Sequence, residues 1–219
     1  MLCLIVGLFI NVGVSYALQL INVDKFIEFI STRYTVQSIA RAEQYKAFLT
    51  EYAQRSEPEK IAAVNHFFHQ HITYSTDLEL YNQSDYWASP AELLGAGQGD
   101  CEDWAIAKYL SLRQLNIDDS KLRLVYVRAR IGAIGSTLSQ AHMVLAYYPS
   151  PGSEPLILDS LISTVLPASE RNDLTPVFSF NAEGLWAGQS DMRSTQSPRA
   201  RLSRWRDLLE RLPNEGIVL

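Results

Sequence analysis

The chain has 219 residues, 47% of them hydrophobic and 20% charged, and a formal charge of −5. That length supports one compact core and is short for two. The acidic balance argues against a nucleic-acid partner, and no long single-sign run marks a charged interaction tail.

Residues 1–17 carry no charged side chain, run MLCLIVGLFINVGV and then give Ser15, Tyr16 and Ala17, a small-residue cleavage pattern. This reads as a secretory signal peptide without its positive n-region, with a retained N-terminal anchor as the alternative. The mature chain is then a single domain over residues 18–219, with no stable membrane insertion of its own. Cleavage would remove Cys3 and leave Cys101 as the one cysteine of an exported chain, unable to form an internal disulfide.

Helical periodicity is expected over Asp24–Ile30 and over Val36–Tyr52, where Ile39, Tyr45, Phe48, Leu49 and Tyr52 form an apolar stripe. Ser56, Pro58 and Glu59 open a third helix to about Ile72, with Ile61, Val64, Phe67 and Phe68 facing inward. Its His66 and His69 have the spacing of a metal pair, but no third ligand accompanies them and zinc is not supported. Thr73–Ala96 is the least periodic stretch, an aromatic-rich loop with one helical turn at Pro90–Leu94. It serves either as a substrate wall or only as packing.

Gly97–Leu110 (GQGDCEDWAIAKYL) is the stretch around which the chain is organised. Gly97 and Gly99 supply backbone freedom, Asp100 is a good N-cap and Asp103 sits at the third position of a box-like helix start. Cys101 therefore lies at the first helical position, where the helix dipole favours a nucleophilic thiolate. A buried structural cysteine is the alternative. Asp100, Glu102 and Asp103 oppose ionisation, so the thiol needs a nearby cation, either an imidazolium or a metal ion. The helix runs apolar to Leu115 and stops at Asn116, which fixes Cys101 on a buried element.

Strands are expected at Lys121–Arg130, His142–Tyr148 and Leu156–Asp159, the last two joined as a hairpin through a Pro/Ser/Gly loop. If Tyr147 pairs with Glu154, His142 stands directly opposite Asp159 on the same sheet face, close enough for an imidazole–carboxylate hydrogen bond. Asp173–Trp186 reads as irregular strands closing the sheet, and Gly188–Pro198 as a polar linker. Ser197 and Pro198 then start a helix to about Leu212. Its arginines, Arg199, Arg201, Arg204 and Arg206, are a solvated face or a site for an acidic partner.

Cys101, His142 and Asp159, in that order, form a set that nucleophilic acyl transfer can use, with His142 as base and Asp159 fixing its tautomer. The Cys101 amide is an expected oxyanion donor, and Trp87 a second candidate. Around these residues the chain resembles the bacterial transglutaminase-like cysteine proteinases, and within them the periplasmic, adhesin-releasing type. The likeness is carried by DYWASPAELLGAGQGDCEDWAIAKYLSLRQL (85–115), AHMVLAYY (141–148), LILDSL (156–161) and PVFSFNAEGLW (176–186). The resemblance implies an α+β, papain-like transglutaminase core, in which a central helix bearing the cysteine packs on an antiparallel sheet behind a helical N-terminal part. It also implies catalytic Cys101, His142 and Asp159, and a Ca²⁺ site with Asp100 and Glu102 among its ligands. A helix cap with solvated acids is the other reading of those two residues. The implied activity is calcium-dependent cleavage of the N-terminal region of a large surface adhesin in the periplasm, promoting biofilm dispersal. The implied partner is an inner-membrane cyclic-di-GMP receptor that sequesters the protease. A transglutaminase or other acyltransferase, or a non-catalytic calcium-gated module, are the alternative classes.

Overall fold

A computed structural model describes residues 20–132, 136–188 and 193–219. The expected signal peptide and Cys3, and part of the polar linker, lie outside the described residues. Among the described residues no helix is long and apolar enough to cross a membrane.

The N-terminal part is helical: α1 (Val23–Arg33), α2 (Val36–Tyr52) and α3 (Glu57–His71). Helix α2 has the expected bounds, whereas α1 starts one residue earlier, capped by Asn22 through the Lys25 N–H, and runs a turn further to Arg33, where the Tyr34 N–H closes it on the Ile30 carbonyl. The stretch expected as a loop is more regular than its sequence pattern. It holds β1 (Thr73–Tyr74), α4 (Asp77–Tyr81) and α5 (Pro90–Ala96). Helix α5 is the turn expected at Pro90–Leu94, extended to Ala96, whereas α4 is too short for a periodicity test; each is started by a capping box, Ser89 with Glu92 and Thr76 with Glu79. Strand β2 (Gln98–Gly99) pairs in parallel with β1 and delivers the chain to α6 (Cys101–Gln114).

The sheet contains β3 (Leu122–Arg130), β4 (Ser139–Tyr147), β5 (Leu156–Leu158), β6 (Leu166–Pro167), β7 (Leu174–Phe180) and β8 (Leu185–Ala187). It is antiparallel throughout, in the order β6-β5-β4-β3-β7-β8. The expected C-terminal helix is two, α7 (Pro198–Arg201) and α8 (Ser203–Arg211), because Leu202 takes an extended conformation between them.

Helix α6 is the centre of the core. Ile106, Tyr109, Leu110 and Leu112 are wholly buried between the sheet face of Leu124, Met143, Leu145 and Leu158 and the side chains of the N-terminal helices. Burial of each such side chain contributes about 1.5–3 kcal/mol, so the helix that begins at Cys101 is anchored along its whole length. The opposite sheet face carries a smaller apolar cluster of Val125, Val127, Val144, Ala146 and Ile157. Trp205 of α8 closes the core edge-on against Tyr109 and Phe180.

Candidate active site

Two glycines bring the chain to Cys101 for different reasons. Gly97 ends α5 in the left-handed region at φ +71°, which a side chain rarely adopts. Gly99 needs space: a Cβ there would stand 2.5 Å from Leu93 Cδ1 and 2.6 Å from Asp103 Oδ2. Asp103 accepts the Asp100 N–H at 3.2 Å and the Ala88 N–H at 2.6 Å, locking the helix start to the preceding segment. Cys101 is the first residue of α6, as expected.

The thiol is 8% exposed and donates to Glu102 Oε2 at 2.9 Å. Burial, then the charges of Glu102 and Asp100, push it well above the ordinary cysteine range, against the helix dipole and a hydrogen bond from the Met143 N–H. A helix N-terminus contributes about 0.3–1 kcal/mol in exposed sites, too little to offset a buried thiol facing two carboxylates. The Met143 amide also locates the sulfur. Strand β5 ends at Leu158, opposite Leu145, so the edge of β4 beyond Leu145 is open, and Cys101 meets it one residue past His142.

His142 Nε2 lies 2.7 Å from Asp159 Oδ1, with both side chains buried. A carboxylate only accepts, so Nε2 carries the proton and Nδ1 is left as the basic nitrogen. The pair shares a sheet face as the alternation requires, but the register differs from the expected one by two residues. Tyr147 pairs with Leu156, not Glu154, and the ladder stops at Leu145 opposite Leu158. Asp159 is therefore a diagonal neighbour of His142, one residue beyond the strand end. The loop is eight residues and still even, which is why the face was right.

Four further residues surround Asp159, of which only His69 was considered from spacing, and then as half of a metal pair. Arg171 Nη2 donates to Asp159 Oδ2 at 2.7 Å, and the Leu161 N–H donates to Oδ1 at 3.0 Å. The Asp159 backbone carbonyl accepts from Lys108 Nζ at 2.7 Å and from His69 Nε2 at 2.9 Å. Burial alone would raise the Asp159 carboxyl, but the bond and charge of His142, the Leu161 amide and Arg171 hold it well below the usual carboxylate range. Lys108 was detectable, since an ammonium on the apolar surface of α6 is out of place. His69 turns to Asp159 and rests on Trp104 at 4.8 Å, while His66 is exposed, so the two do not form a metal pair.

On the other side of Cys101 the acids gather. Asp77, Asp85, Asp100, Glu102 and Asp103 fall into overlapping groups whose ligand atoms lie within 4.8 Å of one another. Burial and the neighbouring carboxylates push Asp77 up to about 6 and Asp100 up to about 8. Asp103, the cap, is raised well above its ordinary value, by burial and then by Asp100. Asp77 Oδ1 and Asp100 Oδ1 are buried without a hydrogen-bond partner. Asp85 differs: Trp87 Nε1 and Arg204 Nε occupy its two oxygens at 3.1 and 2.9 Å. That commits the Trp87 indole to Asp85 and removes it as the oxyanion donor considered from sequence. It also gives Arg204 a partner, where the helix arginines had been expected as a solvated face or a site for an acidic partner. Hard oxygen donors with orphaned atoms fit Ca²⁺, with Asp77, Asp100 and Glu102 as the open ligands. Asp100 and Glu102 were legible in the motif. Asp77, over twenty residues upstream on α4, was not.

Comparison with known proteins shows the family. Residues 25–173 match the model of the bacterial transglutaminase-like cysteine proteinases. No curated protein sequence matches. Among solved structures, Legionella pneumophila LapG is 39% identical with a TM-score of 0.73, over 88% of this chain and 98% of that one. An EGTA-treated form of that protein is 40% identical with a TM-score of 0.75, over 88% and 98%. A calcium-bound form is 40% identical with a TM-score of 0.73, over 86% and 98%.

Proposed function

This chain belongs to the bacterial transglutaminase-like cysteine proteinases, and on that premise we propose that it is a calcium-dependent endopeptidase using Cys101, His142 and Asp159. The observation that carries the reading is the buried 2.7 Å His142–Asp159 pair, set beside the strand amide that meets the Cys101 thiol.

In the proposed reaction His142 Nδ1 takes the thiol proton and the thiolate attacks the scissile carbonyl. The proton then passes from His142 to the leaving amine as the C–N bond breaks, and a thioester remains. Water, deprotonated by the same imidazole, hydrolyses the thioester and restores the thiol. Acid–base transfer of this kind contributes about 10²–10⁴-fold. Asp159 holds the imidazole in the tautomer with Nδ1 free and stabilises the imidazolium. When bound at Asp77, Asp100 and Glu102, calcium supplies positive charge that relieves the carboxylate burden on the thiol. The calcium-bound form of the Legionella relative supports calcium as the ion.

By the same likeness we infer the setting. The substrate is the N-terminal region of a large surface adhesin, the compartment is the periplasm, and a cyclic-di-GMP receptor of the inner membrane holds the enzyme in reserve. The test is incubation with adhesin N-terminal segments, with calcium and with chelator, followed by sequencing of the new ends. Cleavage at a defined bond, lost in Cys101→Ala and lost on chelation, is expected. Cleavage by Cys101→Ala would overturn the protease reading, and chelator-resistant cleavage the calcium one. Amine-linked products in place of new ends would make the protein an acyltransferase.

A further inference from the structure

The geometry points to Arg171, backed by Lys108, as a positioning residue that sets the acid of the triad, an inference that rests on the proposed Cys101–His142–Asp159 reading. The reason lies in the register. Continued past its last pair, the β4–β5 ladder would place His142 across from Leu161, with Asp159 displaced along the strand. Backbone pairing therefore does not place Asp159 on the imidazole. The chain leaves the ladder after Leu158, and every oxygen of Asp159 is then held by side chains and the Leu161 amide, with no strand backbone pairing.

Two of those holds, from Arg171 and Lys108, come from separate elements. Arg171 follows the short 3-10 turn Ala168–Glu170 and is 5% exposed. Its Nε and Nη2 grip Asp173 at 3.0 and 2.8 Å, and Nη2 also donates to Asp159 Oδ2 at 2.7 Å. The Asp173 fork fixes the guanidinium plane, so the third bond reaches Asp159 in one orientation, which leaves Oδ1 for His142 and the Leu161 amide. Lys108 is fully buried two turns along α6 from Cys101. Asn65 of α3 accepts from its Nζ at 2.8 Å, and that ammonium carries the Asp159 carbonyl. The helix that bears the nucleophile thus also holds the backbone of the acid, and the distance between the two is set by one rigid element.

Neither cation touches the reacting atoms. Their effect passes through Asp159 to the angle and tautomer of His142, so their loss should appear in kcat and leave KM nearly unchanged. A misplacement of about 1 Å costs roughly 10²-fold, which sets the expected scale.

The test is a double-mutant cycle on the full chain with calcium present, using Arg171→Met, Asp159→Asn and the pair. Arg171→Met is expected to lower kcat about 10²-fold with KM within threefold. In the Asp159→Asn background the same change should cost less than about twofold, because the group Arg171 acts through is already impaired. Arg171→Lys, which keeps the charge and loses the fork, should recover about tenfold of the loss. Lys108→Met should lower kcat about tenfold with KM unchanged. Asp173→Asn, which loses one arm of the fork and leaves the Asp159 bond available, should lower kcat several-fold, less than Arg171→Met, with KM unchanged.

Additive losses in the cycle, a loss residing in KM, or an Arg171→Met enzyme within threefold of the parent would each overturn the inference. If Arg171→Met does not fold, Arg171→Lys and Lys108→Met carry the test, and parental kcat in both would overturn it equally. His142→Ala separates this from failure of the triad itself. If His142→Ala retains cleavage, the triad reading is wrong. If His142→Ala is inactive and Arg171→Met is not impaired, only the positioning role is lost.

Discussion

The two sides of Cys101 hold carboxylates of the same kind in opposite electrostatic states. Toward the sheet, Asp159 is ringed by His142, Arg171, Lys108, His69 and the Leu161 amide, and its carboxyl is held below the ordinary range. Toward the β1–α5 segment, Asp77, Asp100 and Asp103 are buried among like charges, with orphaned oxygens on the first two, and all three are pushed up. Burial acts in the same direction in both halves, so the neighbours decide the sign. The base half is completed by the chain's own cations. The acidic half leaves its charge open to a cation from outside, which under the proposed function would make the thiol responsive to one.

Asp159→Asn breaks the comparison on the completed side and should have the largest effect. An amide in place of the carboxylate favours the wrong imidazole tautomer, and a loss of roughly 10³–10⁴-fold in kcat is expected. Under the proposed calcium assignment, the rise in melting temperature on adding calcium should be unchanged, because Asp159 is not among the proposed ligands. A variant that lost both together would show that the halves are one network.

The division also explains what was legible in the sequence. The completed half depends on alternation, which a sequence displays, so His142 and Asp159 were placed on one face. Their exact pairing depended on where a three-residue strand ends, and a loop of Pro, Ser and Gly leaves that open by two residues. Helix α2 and the start of α6 were legible because long apolar stripes and capping residues are local. Arg171 was not: it lies in an irregular segment, and its role comes from a fold-dependent approach to Asp159. The open half is scattered. Asp100 and Glu102 announce themselves beside the cysteine, but Asp77 joins them only because β1 pairs with β2 and α4 folds back over the helix start. Leu202, which divides the last helix, sits in a run with continuous helical periodicity.

The opposite shifts give opposite dependences on pH. Asp159, held below its unfolded value, stabilises the fold above about pH 4, and that contribution is lost as the pH falls further. Asp77 and Asp100, raised to about 6 and about 8, do the reverse. The folded chain binds more protons than the unfolded one between about pH 4 and those values, so metal-free stability declines as the pH rises through that window. Glu215, buried and pushed up to about 8, adds to the decline, whereas His69 and His71, lowered by burial, and Lys108, lowered by burial to about 7, oppose it around and above neutrality. Comparing melting with calcium and with chelator at each pH cancels these outside groups. The calcium-induced stabilisation should be small at pH 5 and larger by about 2–3 kcal/mol at pH 8, after discounting the shifts for solvent screening. A calcium effect independent of pH would mean that the raised carboxylates are not its ligands.

Asp77→Asn sharpens the comparison with the smallest change. Asp77 Oδ2 accepts the Tyr86 N–H at 2.5 Å, and an asparagine oxygen can keep that bond. Its amide nitrogen would replace the orphaned Oδ1 with a donor, within the cluster that contains the orphaned Asp100 oxygen. One negative charge leaves a group that repels itself. At pH 8 without calcium the variant should therefore melt about 2–4 °C higher than the parent, on the order of 1 kcal/mol. At pH 5, where the parent Asp77 is already largely protonated, the gain should vanish. With calcium the order should reverse, because the variant has lost an anionic ligand and gains less from the metal. The same substitution thus raises stability in one condition and lowers it in the other. Lower melting in both would place Asp77 among the structural acids, leaving Asp100 and Glu102 as the anionic ligands.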